Sequence, residues 1–539
     1  MLQKQNVRCA LLSRVGERRK RFGVPGVPRP GKSARVVLWL LCIGFISLSL
    51  VSVPAGVSAP QVRPIVLPIV GGIVQVDQCP TGGPFGDGTF GDPIKFNVRG
   101  VDTVPAAINH PGQVAGVLRP GSNQKLKGFV RNVNGSFAPA PWFGPDYDVY
   151  LTWINDLGQF VGYAGSRDDP YGFFDSRGDM LHGYAPLAVN NLGQSIGVHQ
   201  YSTWGGLFHY TDGFLRDANG HLTSLDKFQP VGINNVGQVA GAFPANDGGI
   251  FDPGAIYRPA VREPDGNYTP VRVKIGGREV YPAHPVSIND LGDVVGYWQD
   301  SNGNFHGFLH DANGHDASVD DHLDANARFT NTYPTWINNL RQVVGWADNG
   351  DDPRVAFMRD GNGKFYVFGT AGPGGTTRNE AKWINDQGQA VGTYNDGGAI
   401  YGFVQPTTVE PLKAFSVTRA DIVPSTGAIT VFGSFTPCPG RTLNPVADPV
   451  LVKLYQPGVA WASIAIPGSS FQDETRKYVY NGVLRGVPVS VYLWGPLSDG
   501  HWDFRVYVTG LSGLPSTNPV TVFLAIGNNT GAATVNANY

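Results

Sequence analysis

The chain has 539 residues, enough for two or more hydrophobic cores, and its 72 glycines, 42 prolines and 15% charged residues suit a turn-rich all-β protein. Its formal net charge of −1 is an average over two unlike parts. Residues 1–35 hold ten Lys/Arg against one acid, Glu17, so the remainder lies near −10, which argues against nucleic acid or another polyanion as a partner of the body of the protein.

The basic start runs into an apolar stretch, Val36 to Val51, followed by the small residues Val57, Ser58 and Ala59. Basic region, apolar region and small-residue site together read as a secretory signal over 1–59, cleaved after Ala59 or retained as an anchor. Membrane contact is expected only through this segment if it stays uncleaved, and the mature protein is expected to be secreted, periplasmic or at the cell surface. Residues 60–89 then form an N-terminal extension. Cys9 and Cys42 belong to the leader, leaving Cys79 and Cys438. In an exported chain an even remainder suggests one disulfide between them; two buried free thiols are the alternative.

Between residues 108 and 392 a phrase close to Ile-Asn-Asn-Leu-Gly-Gln-Val-Val-Gly occurs seven times, led by Asn109, Asn155, Asn190, Asn234, Asn289, Asn338 and Asn385. The steps between those asparagines are 46, 35, 44, 55, 49 and 47 residues, a period that signals a propeller or a solenoid. Each unit resolves into four short runs. In the second they are Leu151–Asn155, Gln159–Tyr163, Tyr171–Asp175 and Met180–Tyr184, joined at Asp156-Leu-Gly158 and Ser176-Arg-Gly178 by hairpin chemistry. Four strands per unit describe a propeller blade better than a solenoid coil. The seventh unit supplies three strands, near 381–385, 389–394 and 399–405, while Ile94–Val98 stands unassigned before the first. That early strand is expected to complete the last blade, giving a seven-bladed β-propeller of four-stranded blades over 90–408. Gln405 to Thr408 read as a linker. Residues 411–539 lack the repeat and alternate apolar runs with Gly/Pro turns, including Ile429–Phe435, Val450–Tyr455, Ser490–Trp494 and Val520–Ile526, which predicts a small β-sandwich.

The Ile-Asn-x-x-Gly-Gln phrase resembles that of the bacterial extracellular HAF-repeat family, named for a His-Ala-Phe triplet in the third strand. Here the triplet survives loosely, as His306-Gly-Phe308, Lys127-Gly-Phe129, Tyr171-Gly-Phe173, Val355-Ala-Phe357 and Tyr401-Gly-Phe403. The resemblance covers about three-fifths of the chain and implies export and the repeat architecture, without an assigned activity.

The recurring asparagines read as turn formers, since an Asn side chain can bond its own backbone two residues on. Asp217-Ala-Asn-Gly220, Asp311-Ala-Asn-Gly314 and Asp360-Gly-Asn-Gly363 read likewise, lacking the spaced carboxylates of a calcium loop. Trp153, Trp336 and Trp383 read as core between blades. Tight turns emerge on one side of such a ring and the longer second-to-third loops on the other. Those loops are chemically alike: Tyr163 with Asp168 and Asp169, Tyr297 and Trp298 with Asp300, Trp346 with Asp348 and Asp351, and Tyr394 with Asp396. Aromatic platforms beside acids would suit a glycan, or an envelope protein; the alternative is that the rings pack between blades and the acids solvate the loops. Catalytic signals are poor. No nucleophile elbow or His-Glu-x-x-His occurs, and His306 and His310 stand about 13 Å apart on one strand, too far for one metal. The reading is a non-enzymatic binding protein without cofactor or metal. Its rival is a glycoside hydrolase or lyase using a pair of the loop-face aspartates.

Overall fold

The computed structural model describes residues 89–539 apart from 91–93, 99, 122–123, 141–146, 166–169, 175–178, 204–207, 245–256, 321–328, 351–353, 369–377, 396–397, 407–409, 440–441, 457–458, 485, 512–513 and 515. The leader, Cys79, Asp168, Asp169, Asp351 and Asp396 therefore lie outside the described residues. The described part belongs to one compact unit, Val62–Tyr539. It is all-β, with one 3-10 turn at Gly468–Ser470.

The repeat forms seven antiparallel sheets in a propeller-like arrangement. Their first strands are Asp102–Ile108, Val149–Ile154, Tyr184–Val189, Gln229–Ile233, Ala283–Ile288, Asn331–Ile337 and Arg378–Ile384. The second sheet continues through Phe160–Gly165, Pro170–Phe174 and Asp179–His182, close to the strands expected. Tyr184 departs from expectation: it opens the third sheet instead of ending the second. The fourth strand of the seventh sheet is Ile94–Phe96, paired antiparallel with Ile400–Pro406, so the early strand does complete the last sheet. Thr89–Phe90 adds, unforeseen, a parallel fifth strand beside Phe365–Phe368 of the sixth sheet. Gln405 and Pro406 belong to a strand, so no linker begins at Gln405. The long insertion after Asn234 adds a separate hairpin, Lys274–Ile275 with Arg278–Glu279.

Each first strand carries a register shift three residues before its asparagine, as between Leu151 and Trp153 or Ala381 and Trp383. A bulge of this kind bends the strand and re-aims the next side chain. The residues so aimed are Ala107, Trp153, Ala188, Gly232, Ser287, Trp336 and Trp383. Trp336 stacks on Trp383 with centroids 3.4 Å apart, and Trp153 meets Trp383 edge-on at 3.8 Å. Since Trp153 comes from the second sheet and its partners from the sixth and seventh, the three indoles meet across the middle of the ring. Three large and four small side chains thus fill the centre, where the sequence placed these tryptophans between blades.

Residues 410–539 form a five-stranded and a six-stranded sheet sharing one core, with Val452, Leu454 and Leu524 from the first packed against Val431, Val491 and Phe504 from the second. The strands Ala428–Thr436, Val450–Gln456, Val487–Trp494 and Val520–Ile526 contain the four apolar runs expected. Cys438 is buried and disulfide-bonded, and its bond partner lies outside the described residues.

Candidate functional site

The seven asparagines form a closed hydrogen-bonded ring. Within its own turn each Oδ1 accepts the N–H four residues on, as Asn155 does from Gln159 at 2.9 Å, and Nδ2 donates to the side chain at that position, Gln159 Oε1 at 2.7 Å. Nδ2 also donates to the carbonyl of the next asparagine. Asn109 reaches Asn155, then Asn190, Asn234, Asn289, Asn338 and Asn385 follow in turn, and Asn385 returns to Asn109 O at 2.9 Å. The turn role expected of these residues holds, and a link between sheets is added to it.

One pair of departures from the repeat explains itself in this ring. Where other units have Gln, the fifth has Asp293, fully buried; where others have Gly, the sixth has Arg341 at φ +59°. A non-glycine residue there is strained. Arg341 donates from Nε to Asp293 Oδ2 at 2.8 Å and from Nη2 to Oδ1 at 3.0 Å, the two-pronged geometry that suits a carboxylate. Arg341→Gly would relieve the backbone but leave a buried charge unpaired, so a loss of about 2–4 kcal/mol is expected in denaturant unfolding. The double variant Asp293→Gln/Arg341→Gly should recover most of it. Strict additivity of the two single effects would refute this coupling.

One residue past each asparagine stands a second circle: His110, Asp156, Asn191, Asn235, Asp290, Asn339 and Asp386. Six of its backbone N–H groups donate to the next side chain, from His110 to Asp156 (2.6 Å) through Asn339 to Asp386 (2.8 Å). Together with Lys453 of the C-terminal region these residues line a cavity of about 90 Å³ floored by the three tryptophans. Lys453 has a side chain 2% exposed, with Nζ 2.5 Å from Asp386 Oδ2 and 3.7 Å from Asp156 Oδ2. Burial works against its charge, yet Asp386, Asp156 and Asp290 together push its pKa upward. The same charge helps hold Asp386 below the usual carboxylate range against burial, whereas burial pushes Asp156 up. His110 lies buried between Tyr455 and Phe523, and burial, then Lys453, drive its pKa well down. Around this centre Leu340 packs with Leu451, Phe523 and Ala525, and Gln342 donates to Asn528. The C-terminal region therefore covers the central part of the Asn-turn face.

On the far side, the predicted loop residues only partly come together. Tyr297 meets Tyr333 at 5.5 Å, Tyr333 stacks on Trp346 at 3.8 Å, and the Arg354 guanidinium lies 4.1 Å over Trp346. Arg354 also donates to Glu380 Oε1 at 2.5 Å, so the strip crosses the fifth, sixth and seventh sheets. These aromatic side chains are half-buried. Tyr163 pairs apart from them with Tyr150 at 4.7 Å. Tyr394 is 8% exposed beneath Lys95 and is no surface platform. Trp298 stacks on His306, whose Nδ1 and Nε2 face Asp320 (2.9 Å) and Asp300 (3.4 Å). Asp300 begins a tight turn, accepting the N–H groups of Asn302 and Asn304; despite partial desolvation these bonds and His306 draw its pKa to about 2. Asp348 accepts from Asn331 Nδ2 and Gly350 N–H. Both acids therefore serve local structure. Among the described residues no group of three or more His, Cys, Asp or Glu could hold a metal, and no helix is long and apolar enough to cross a membrane.

Lys453, Tyr333, Arg354 and Glu380 were not anticipated as site residues. A signal for the first existed: Val520–Ile526 is apolar at nearly every position and buried throughout, which marks a strand covered on both faces. No family model matches the chain. No curated protein sequence matches it either. Among solved structures it is similar to the Pyrococcus horikoshii acylaminoacyl peptidase. The uncomplexed form is 11% identical with a TM-score of 0.39, over 64% of this chain and 61% of that one. The orthorhombic crystal form is 11% identical with a TM-score of 0.37, over 63% and 58%. This chain thus spans about three-fifths of the peptidase's length.

Proposed function

We propose that this is an exported, non-enzymatic seven-bladed β-propeller (90–408) whose Asn-turn face is capped by its own C-terminal β-sandwich (411–539), and that it binds an envelope protein through the opposite face. The observation that carries this reading is the strip Tyr297–Tyr333–Trp346–Arg354. Tyr, Trp and Arg are the residue types that dominate protein-binding energetics, and mutual stacking leaves them little freedom to lose on binding. Stacking also takes up ring faces that a sugar would need, because Trp346 lies between Tyr333 and Arg354. That shifts the balance from a glycan towards a protein. The leader read in 1–59 and the likeness of the repeat to HAF proteins support export. With Cys9 and Cys42 in that leader, Cys79 is the natural partner of Cys438.

Purified protein immobilised through its C-terminus is expected to retain an envelope protein from solubilised envelope fractions, with Trp346→Ala and Arg354→Ala each weakening capture at least tenfold. Retention of a polysaccharide instead, sensitive to the same changes, would shift the ligand to glycan. Release of new reducing ends from a polysaccharide panel would overturn the non-enzymatic reading in favour of the hydrolase or lyase.

A further inference from the structure

The chamber between the ring and the C-terminal sheet contains more than a charge pair needs. Its three carboxylates, Asp156, Asp290 and Asp386, stand on the second, fifth and seventh sheets, three, two and two places apart around the circle. An ammonium has three N–H donors to offer such acceptors, and that of Lys453 lies 2.5 Å from Asp386 Oδ2 and 3.7 Å from Asp156 Oδ2, with Asp290 adding to the field that favours its charge. Each carboxylate is held by neighbours independently of Lys453. Asp156 accepts from His110 N–H and Asn191 Nδ2; Asp290 accepts from Asn235 N–H and from the Nδ2 groups of Asn235 and Asn339; Asp386 accepts from Asn339 N–H and Nδ2. The acceptor geometry is thus fixed by the ring itself. Ser463 of the C-terminal region adds a donor to Asp290 at 3.4 Å. His110 also lines the chamber, 2% exposed, and neither ring nitrogen makes a hydrogen bond. A buried imidazole whose nitrogens lack hydrogen-bond partners, beside about 90 Å³ of space, is a place for a small polar ligand or water.

We propose that the axial chamber is a recognition site for a primary ammonium, occupied in this chain by Lys453, so that the C-terminal sheet docks on the ring as a tethered ligand. The site reads charge and size together: a space of about 90 Å³ suits a small cation better than a wide one, and an apolar side chain would leave three carboxylates without a cation. It lies on the opposite face from the proposed partner strip, and each can fail without the other.

The test uses the full chain carrying Lys453→Ala. Its thermal midpoint is expected several degrees below that of the unaltered protein, and millimolar methylammonium chloride should restore much of the loss. Equal sodium chloride or tetramethylammonium chloride should not, nor should methylammonium affect the unaltered protein. No response to methylammonium, or an equal response to the other two salts, overturns the proposal. Should Lys453→Ala fail to fold, the unaltered protein with 15N-labelled lysine serves instead. A slowly exchanging side-chain ammonium resonance that shifts in Asp386→Asn supports the site, and its absence overturns it.

Discussion

Asn385→Ala is expected to lower the stability of the ring by about 3–5 kcal/mol, read as a shift of the denaturant midpoint. Asn385 is 5% exposed and its side chain makes four hydrogen bonds. It donates to Asn109 O and Gln389 Oε1, each at 2.9 Å, and accepts from Gln387 N–H at 3.1 Å and Gln389 N–H at 2.9 Å. Alanine removes all four and leaves buried backbone groups without these partners, and the loss of such partners costs more than a surface bond is worth. The bond to Asn109 joins residues 276 apart and closes the circle. Asn219 provides the control. It is exposed, and the turn it occupies is held by the Asp217 carboxylate, so Asn219→Ala should change stability by no more than about 0.5 kcal/mol. Similar effects at both sites would mean that the asparagine ring contributes nothing beyond ordinary turn propensity.

The part of this ring that could be read in advance is the part contained in one turn. Asn155 and Gln159 lie four residues apart, so local chemistry suffices to pair them. The bond from Asn155 to Asn190 needs the second and third sheets side by side, and no single repeat encodes that. Closure was legible by counting strands, because the seventh unit lacks one and Ile94–Phe96 supplies it. Among the loop-face acids, Asp300 carried a signal for a turn. Asp300-Ser-Asn-Gly303 has the same pattern as the outer turns at Asp217 and Asp311, and it forms the same kind of turn. Tyr394 stands nine residues past its asparagine, whereas Tyr163, Tyr297 and Trp346 stand eight past theirs. One residue along a strand reverses the face, which is why Tyr394 is buried and they are not. The sequence signals a second covering layer over the sheet that holds Lys453, but not the partners of Lys453. Its three acids are separated from it by at least 67 residues, and what could be seen was only a strand apolar on both faces with one lysine in it.

A larger loss is expected from Gly392→Ala, above about 4 kcal/mol and sufficient to deplete folded protein at 37 °C. A Cβ added at Gly392 would lie 1.9 Å from Glu380 O and 2.7 Å from the Phe403 ring. The first contact is with backbone, so no rotamer change relieves it. The same conflict recurs at Gly116, Gly162, Gly197, Gly241, Gly296 and Gly345, where the nearest carbonyl lies between 1.9 and 2.4 Å. In each case that carbonyl belongs to the residue five before the repeat asparagine. In six of the seven the crowding ring is the phenylalanine of the same sheet's third strand, and Phe228 takes its place at Gly241. The glycine and the phenylalanine of the repeat are therefore one packing unit: a bulged first strand brings its carbonyl over the second strand, and only a bare backbone lets the ring slide in beside it. Gly232 separates this cause from a general intolerance of side chains. A Cβ there meets nothing closer than 3.4 Å, and the equivalent residues of the first and third sheets are Ala107 and Ala188. Gly232→Ala should fold with stability within about 1 kcal/mol of the unaltered protein. If Gly392→Ala proved as mild, the close approach of Glu380 O would not be what keeps glycine at this position.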